Sequence, residues 1–241
     1  MSWWDAARFS NWIANGQPTG AQSNTTTENG AYNLANWTSG TAPARNLINP
    51  NTGAAPVFFI PNENEWYKAA YYSPNYGGVG NPGYYAFATQ SDEAPGNIIG
   101  SAANQANYVT GAGYSVTQSS SYDGDQNYLT DVGAFTNSAS FYGTFDQIGN
   151  VYQWNDLDGL PGTTRGLRGG VWQYNNPYNI SSSYSYSNDP SGEYGTTGFR
   201  LASPVPEIDP AGMGSMLALI GGGLGLLERR RKRARPRSSA F

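Results

Sequence analysis

The chain has 241 residues, 38% of them hydrophobic and only 12% charged, with 31 Gly, 18 Tyr and 7 Trp. It contains neither cysteine nor histidine, which excludes disulfides, thiol nucleophiles, imidazole bases and the usual zinc, copper and non-haem iron sites. Hard, oxygen-liganded metals such as calcium stay open. So many aromatics with so little aliphatic content predict a loop-rich fold packed through aromatic rings and side-chain to backbone hydrogen bonds.

The chain opens on MSWWDAARFS, with no basic segment and no apolar run of a secretion signal. Ser2 with Asp5 three residues on reads as a helix start, and the apolar Trp4, Phe9, Trp12 and Ile13 share a face at roughly helical spacing. Residues 14–56, rich in Gly, Asn, Thr and Pro, read as a long surface loop. Asn62 is placed to cap a second helix, with Glu65 as the acid of its capping box. Residues 71–145 alternate aromatics with turn residues and suggest short strands at most, and short strands are also expected within 164–174 and 194–202. Two local patterns have simple readings. Asp123-Gly124-Asp125-Gln126-Asn127 lacks the later glycine and glutamate of an EF-hand and reads as a loop, and Glu63 with Glu65 reads as capping chemistry rather than a glycosidase pair.

Residues 211–227 carry no charge, hold six glycines and have Ser215 as their one polar side chain. Seventeen residues of helix reach about 26 Å, at the short end for crossing a bilayer. Seven of the 13 basic residues follow within 229–237, which leaves six in the rest of the chain against 17 acidic ones. An acidic body argues against nucleic acid as a partner. A basic cluster directly after an apolar stretch reads as a membrane stop, with the cluster cytoplasmic and residues 1–205 outside.

Val205-Pro206-Glu207, the apolar stretch and the arginine run together resemble a PEP-CTERM sorting tail. The resemblance implies an exported, envelope or cell-surface protein, membrane-anchored until an exosortase-type enzyme processes it near the Pro-Glu motif. Ile208 stands where that motif usually ends in proline.

Four further strings resemble, in order, the formylglycine-generating-enzyme (sulfatase-modifying factor) family. They are Ser2-Trp3-Trp4-Asp5-Ala6-Ala7, Ile60-Pro61-Asn62-Glu63-Asn64-Glu65-Trp66, Gly143 to Trp154 with its core Asp146-Gln147-Ile148-Gly149-Asn150-Val151, and Leu167-Arg168-Gly169-Gly170-Val171-Trp172 followed by Gly198-Phe199-Arg200. The resemblance spans residues 2–202. It implies an α+β, C-type-lectin-like fold with sparse, loop-rich secondary structure over residues 1–203, to which the sorting-tail reading adds a 204–241 anchor with a transmembrane helix. It also implies that strands, and a signal peptide before them, precede Met1, so that Trp3, Trp4, Phe58 and Phe59 would face solvent here.

Oxidases of that family hold copper through two cysteines late in the domain, and this chain offers no sulfur of that kind anywhere. Phenols and amides do not replace thiolates on Cu(I), so no copper and no oxidase chemistry are expected. Two calcium sites are implied. The first would use Asn107 and Tyr108 with Asp123 or Asp125; the second would use Asp146, the carbonyls of Gly149 and Val151, and Gln153 in place of a glutamate. The family's substrate groove would be lined by Tyr174, Tyr178 and Asn179, groups that suit a peptide or glycan. The reading is a surface-displayed, non-catalytic binding or structural module. Its alternatives are a formylglycine-generating oxidase, an envelope hydrolase, or a matrix protein without a specific ligand.

Overall fold

The computed structural model describes residues 1–204. The Pro-Glu motif, the apolar stretch and the basic tail lie outside the described residues. Among the described residues, no helix is long and apolar enough to cross a membrane.

Helix α1 runs Trp3–Ala14, and its capping box forms as the sequence predicts. Ser2 Oγ accepts from Asp5 N at 3.2 Å, and Ser2 N donates to the Asp5 carboxylate at 2.9 Å. Of the four apolar residues expected to share a face, Trp4 is buried and Phe9 is not. Trp3, Trp4, Ala6, Ala7, Ser10 and Asn11 point inward, while Phe9 is 41% exposed. Small residues at 6, 7 and 10 let the helix lie close against the loop at 26–34, and Asn11 fastens the two. Its amide accepts from Tyr32 N at 2.7 Å and donates to Thr27 O and Tyr32 O at 2.8 and 2.9 Å.

Residues 15–56 form neither helix nor strand, as anticipated, but they are not all surface. Ala31, Tyr32, Leu34 and Ala42 enter the core. This covering loop overturns the expectation that Trp3, Trp4 and Phe59 face solvent: they are 0%, 1% and 6% exposed. Trp3 packs edge-on to Tyr32 and beneath the Arg165 guanidinium, and Phe59 lies under Arg45 at 3.9 Å. Phe58, at 38%, stays exposed as expected.

Helix α2, Glu63–Tyr71, is capped by Asn62 with Glu65 returning the bond, again as read from sequence. Two short pairs follow: β1 (Tyr72–Ser73) with β2 (Gly83–Tyr84), antiparallel, and β3 (Gly100–Ala103) with β4 (Phe135–Asn137), parallel. The principal sheet is built from β5 (Tyr152–Asn155), β6 (Arg165–Arg168), β7 (Tyr186–Asn188) and β8 (Thr197–Phe199), in the order β7-β6-β5-β8. Both β5 and β6 are buried throughout, so they are the sheet's centre. The β5–β8 pair is parallel and the other two are antiparallel.

Aromatic side chains fill two clusters. Trp3, Trp4, Tyr32, Trp154 and Leu167 pack between α1 and the sheet. Trp66, Tyr71, Phe87, Tyr108, Ile148 and Ile180 pack around α2. Trp66 links α2 to the sheet, its indole N–H donating to Gln153 Oε1 at 3.0 Å.

Candidate functional site

Four sheet strands and the loop before β8 shape a cavity of about 290 Å³ lined by Tyr152, Leu167, Tyr174, Tyr184, Tyr186 and Tyr194, with Asn188 and two threonines. The phenols are organised rather than merely adjacent. The Tyr152 and Tyr174 hydroxyls share a hydrogen bond of 2.8 Å, and Tyr152 donates to Tyr184 Oη at 3.2 Å. Burial, then its hydrogen bonds to Tyr174 and Tyr184, pushes the Tyr152 phenol well above its ordinary range. Burial also raises Tyr174. Both stay neutral at physiological pH.

Of the predicted groove residues, Tyr174 lines this cavity. Tyr178 meets the Tyr184 ring edge-on at 5.7 Å and is 55% exposed, at the rim. Asn179 is not among the cavity's lining residues; it lies in the 3₁₀ turn Pro177–Ile180, where its backbone carbonyl is 2.5 Å from where a Cβ on Gly170 would stand. The sequence reading missed Tyr152, Tyr186 and Tyr194. Tyr186 and Asn188, two apart on β7, share a face of the strand, which is the periodic signal that could have pointed to them.

The first calcium set is not assembled. Asn107 is buried, and its amide donates to Tyr128 O and Asn150 Oδ1 at 2.9 and 3.0 Å. The Tyr108 carbonyl accepts from Asn97 and Ser115 at 3.0 and 3.2 Å. Asp123 sits at the other end of Tyr128, with its backbone N–H on the Tyr128 hydroxyl, and its carboxylate caps Asp125 N at 3.0 Å. Thus Asn107 and the two aspartates are held at opposite ends of one tyrosine.

The second set converges further. Asp146, Asn150, Val151 and Gln153 line a cleft of about 210 Å³ together with Arg200. Asp146 and Asn150 hold positive φ angles of 55° and 60°, and Gly149 one of 72°. The Asp146 carboxylate accepts from Gly133 N at 2.7 Å. Gln153, however, has no oxygen to spare: Oε1 accepts from Trp66 and from Arg200 Nε at 2.6 Å, and its amide nitrogen donates to Asp146 O at 2.7 Å. Arg200 also donates to Phe145 O. A guanidinium already supplies the positive charge where the resemblance places a metal, so these residues do not fit calcium. Among the described residues, no three acidic side chains gather as a metal cluster.

The family described as the sulfatase-modifying factor enzyme 1-like domain matches residues 1–205, most of the chain. The chain belongs to this family. Among solved structures it is similar to CarF, with 18% identity and a TM-score of 0.45 over 85% of this chain and 66% of that one. It is also similar to Treponema denticola variable protein 1, with 19% identity and a TM-score of 0.49 over 84% and 69%. PvdO from Pseudomonas aeruginosa gives 20%, 0.34, 61% and 53%. The chain thus spans about two thirds of the first two structures and half of the third. No curated protein sequence matches it.

Within this sulfatase-modifying factor domain, one charged cluster was not anticipated. Asp156 is 3% exposed and accepts from Trp3 Nε1 at 2.8 Å and from the Tyr32 hydroxyl at 2.6 Å. Arg165 Nε lies 3.5 Å away, close enough for an ion pair but without hydrogen-bond geometry. Burial pushes the Asp156 carboxyl up to about 6, against the opposing pull of Tyr32, Arg165 and Trp3. Enclosed on every side, this carboxyl ties α1 to the sheet and has no route to a substrate.

Proposed function

We propose that the chain is a non-catalytic binding module of the sulfatase-modifying factor family. It is exported, held at the cell envelope through residues 204–241 and released from the membrane by an exosortase-type enzyme. The observation that carries the binding part is the tyrosine-lined cavity. Its lining offers ring faces, hydroxyls and one amide, and no group that changes charge between pH 5 and 8. Such a surface orients a peptide or glycan and moves no proton. The cavity's volume lies at the small end for ligand sites, enough for one residue or sugar unit of a longer chain.

Oxidase chemistry is disfavoured by the donor set, since phenol and amide groups stand where the family's chemistry needs thiolates on soft copper. The export and anchor part is supported by the tail's order: Pro-Glu motif, apolar stretch, arginine run.

The test of the catalytic question is direct. Incubated with a sulfatase-type cysteine peptide, with and without copper, the pure protein should give no aldehyde by mass spectrometry. Copper-dependent turnover would end the non-catalytic reading. A peptide or glycan retained by the native domain should be lost with Tyr186→Ala, whose ring is 51% exposed at the cavity and whose removal costs little packing.

A further inference from the structure

Away from the tyrosine cavity, Trp172 and Tyr122 are brought together from distant parts of the chain. Their ring planes lie within 9° of each other, with centroids 6.4 Å apart. Each is also parallel to Tyr128, at 4.8 Å and 11° for Trp172 and 5.6 Å and 18° for Tyr122. Two rings on opposite faces of Tyr128 would stand about 7 Å apart, because each carbon contact layer needs about 3.5 Å. The shorter separation therefore puts Trp172 and Tyr122 on one face of Tyr128, edge to edge in a single layer. The backing ring is buried at 3% exposure, whereas Tyr122 is 64% exposed.

Local hydrogen bonds hold the platform in place. The Tyr128 hydroxyl accepts from Asp123 N at 2.9 Å, Gln126 N donates to Asp123 O at 3.2 Å, and the Asp123 carboxylate caps Asp125 N. Tyr114 packs against all three rings at a tilt, 4.5 Å from Tyr128, 5.8 Å from Trp172 and 6.1 Å from Tyr122. The indole N–H groups of Trp3, Trp12, Trp66 and Trp154 each donate within the protein. Those of Trp4, Trp37 and Trp172 find no acceptor among the described residues, and of these Trp172 is the one beside Tyr122 and Tyr128.

We propose that Trp172 and Tyr122 form a stacking platform for a neutral pyranose of a polysaccharide. A gluco-configured ring carries its substituents equatorially, so its axial C–H bonds present a flat, weakly positive face to the negative faces of the two aromatic rings. Its edge hydroxyls then meet the Trp172 N–H as donor and the carboxylate of Asp123, next in sequence to Tyr122, as acceptor. A nucleobase could stack as well, but among the described residues its phosphates find no unengaged cation. Residues 1–203 hold six basic and fourteen acidic side chains. Arg8, Arg45, Arg165 and Arg168 are in ion pairs, Lys68 lies over Tyr72, and Arg200 is bonded to Gln153. Most peptides dock by strand edges, helix grooves or deep side-chain pockets, which two coplanar rings do not offer; a proline-rich peptide can stack on aromatic rings and is therefore the competitor in the test. This site stands on residues outside the tyrosine cavity and does not depend on the export reading or on the lost oxidase chemistry.

The test is fluorescence titration of the full chain with cellohexaose and chitohexaose, beside oligogalacturonate and a proline-rich peptide. The neutral oligosaccharides should shift Trp172 emission saturably, and oligogalacturonate should bind more weakly. Tyr122→Ala should weaken binding about tenfold or more, as should Trp172→Ala, with Trp172→Phe retaining part of it. Circular dichroism melts check folding, and Tyr122→Ala, at an exposed position, keeps the test valid if Trp172→Ala unfolds. No binding of either neutral sugar overturns the proposal, as does preference for the proline-rich peptide. Binding that survives Tyr122→Ala and Trp172→Phe but is lost with Tyr186→Ala also overturns it, while leaving the tyrosine cavity's binding role standing.

Discussion

Arg200 Nε donates to Gln153 Oε1 at 2.6 Å, so the glutamine that replaces a family glutamate is bonded to a cation belonging to the protein itself. Burial draws the arginine's pKa down while the charge of Asp146 holds it up, which keeps the guanidinium ionised. Calcium at millimolar concentration, or its removal by chelator, is expected to leave the melting temperature unchanged. Arg200→Met should destabilise by about 2–3 kcal/mol, because Gln153 and Phe145 O then lose a charged donor inside the fold. A calcium-dependent rise in melting temperature of the native protein would show that the metal displaces this arrangement.

Gly149 separates backbone strain from steric clash. It holds φ +72°, and a Cβ there would lie 2.3 Å from the Asn107 carbonyl oxygen. That carbonyl accepts Asn150 N at 2.9 Å, so the two segments cannot part without breaking their bond. Gly143 has nearly the same angle, +74°, with open space around its missing Cβ. Gly143→Ala should therefore cost about 1 kcal/mol, the penalty of a left-handed residue alone. Gly149→Ala should cost at least about 3 kcal/mol, since strain and a backbone clash add. Urea unfolding of both variants measures the difference, and equal losses would contradict the close approach.

The tail makes a prediction that needs no folded domain. Residues 204–241 fused to an exported reporter should place it in the membrane fraction, and a host with an exosortase should then yield a shorter form. Neutralising Arg229 to Arg233 should give mixed orientation in a protease-accessibility assay, because the retained positive charge sets which end stays inside. A native fusion that stays soluble would remove the anchor from the proposal.

Local chemistry was the legible part of this sequence. Both capping boxes could be read directly, because each depends on residues three apart, as in Ser2 with Asp5 and Asn62 with Glu65. The family's strings likewise showed which fold to expect. What could not be read was anything decided by distant partners. Nothing near Trp3 in sequence reveals that Tyr32 and Arg165 close over it, so its burial is invisible until the chain is folded. Gln153 looks like a weakened metal ligand until Trp66 and Arg200, 87 and 47 residues away, use its oxygen. The tyrosine cavity and the Trp172–Tyr122 platform have the same origin: rings are plentiful everywhere in the chain, and topology alone selects which of them meet.

Asp156 allows the packing of α1 on the sheet to be followed by pH. Its carboxyl titrates at about 6 in the folded protein, against an ordinary value of 3.8, because burial penalises the charge more than Tyr32, Arg165 and Trp3 relieve it. A carboxyl with a raised folded pKa binds its proton more tightly in the native state. Its contribution to stability is therefore greatest below about pH 3.8 and declines as pH rises through about 6, then stays constant. The full decline amounts to about 3 kcal/mol, since each tenfold gain in proton affinity is worth about 1.4 kcal/mol. Asp156→Asn removes this titration while keeping an oxygen for Trp3, and its NH2 then faces the Tyr32 hydroxyl, which can accept in place of donating. The stability of the native protein relative to Asp156→Asn, measured by urea unfolding at half-unit steps from about pH 4 to 7.5, should fall through about pH 4–6.5 and level off above. A difference that is flat with pH would mean that Asp156 keeps an ordinary pKa, with Arg165 balancing its charge more fully than the 3.5 Å separation implies.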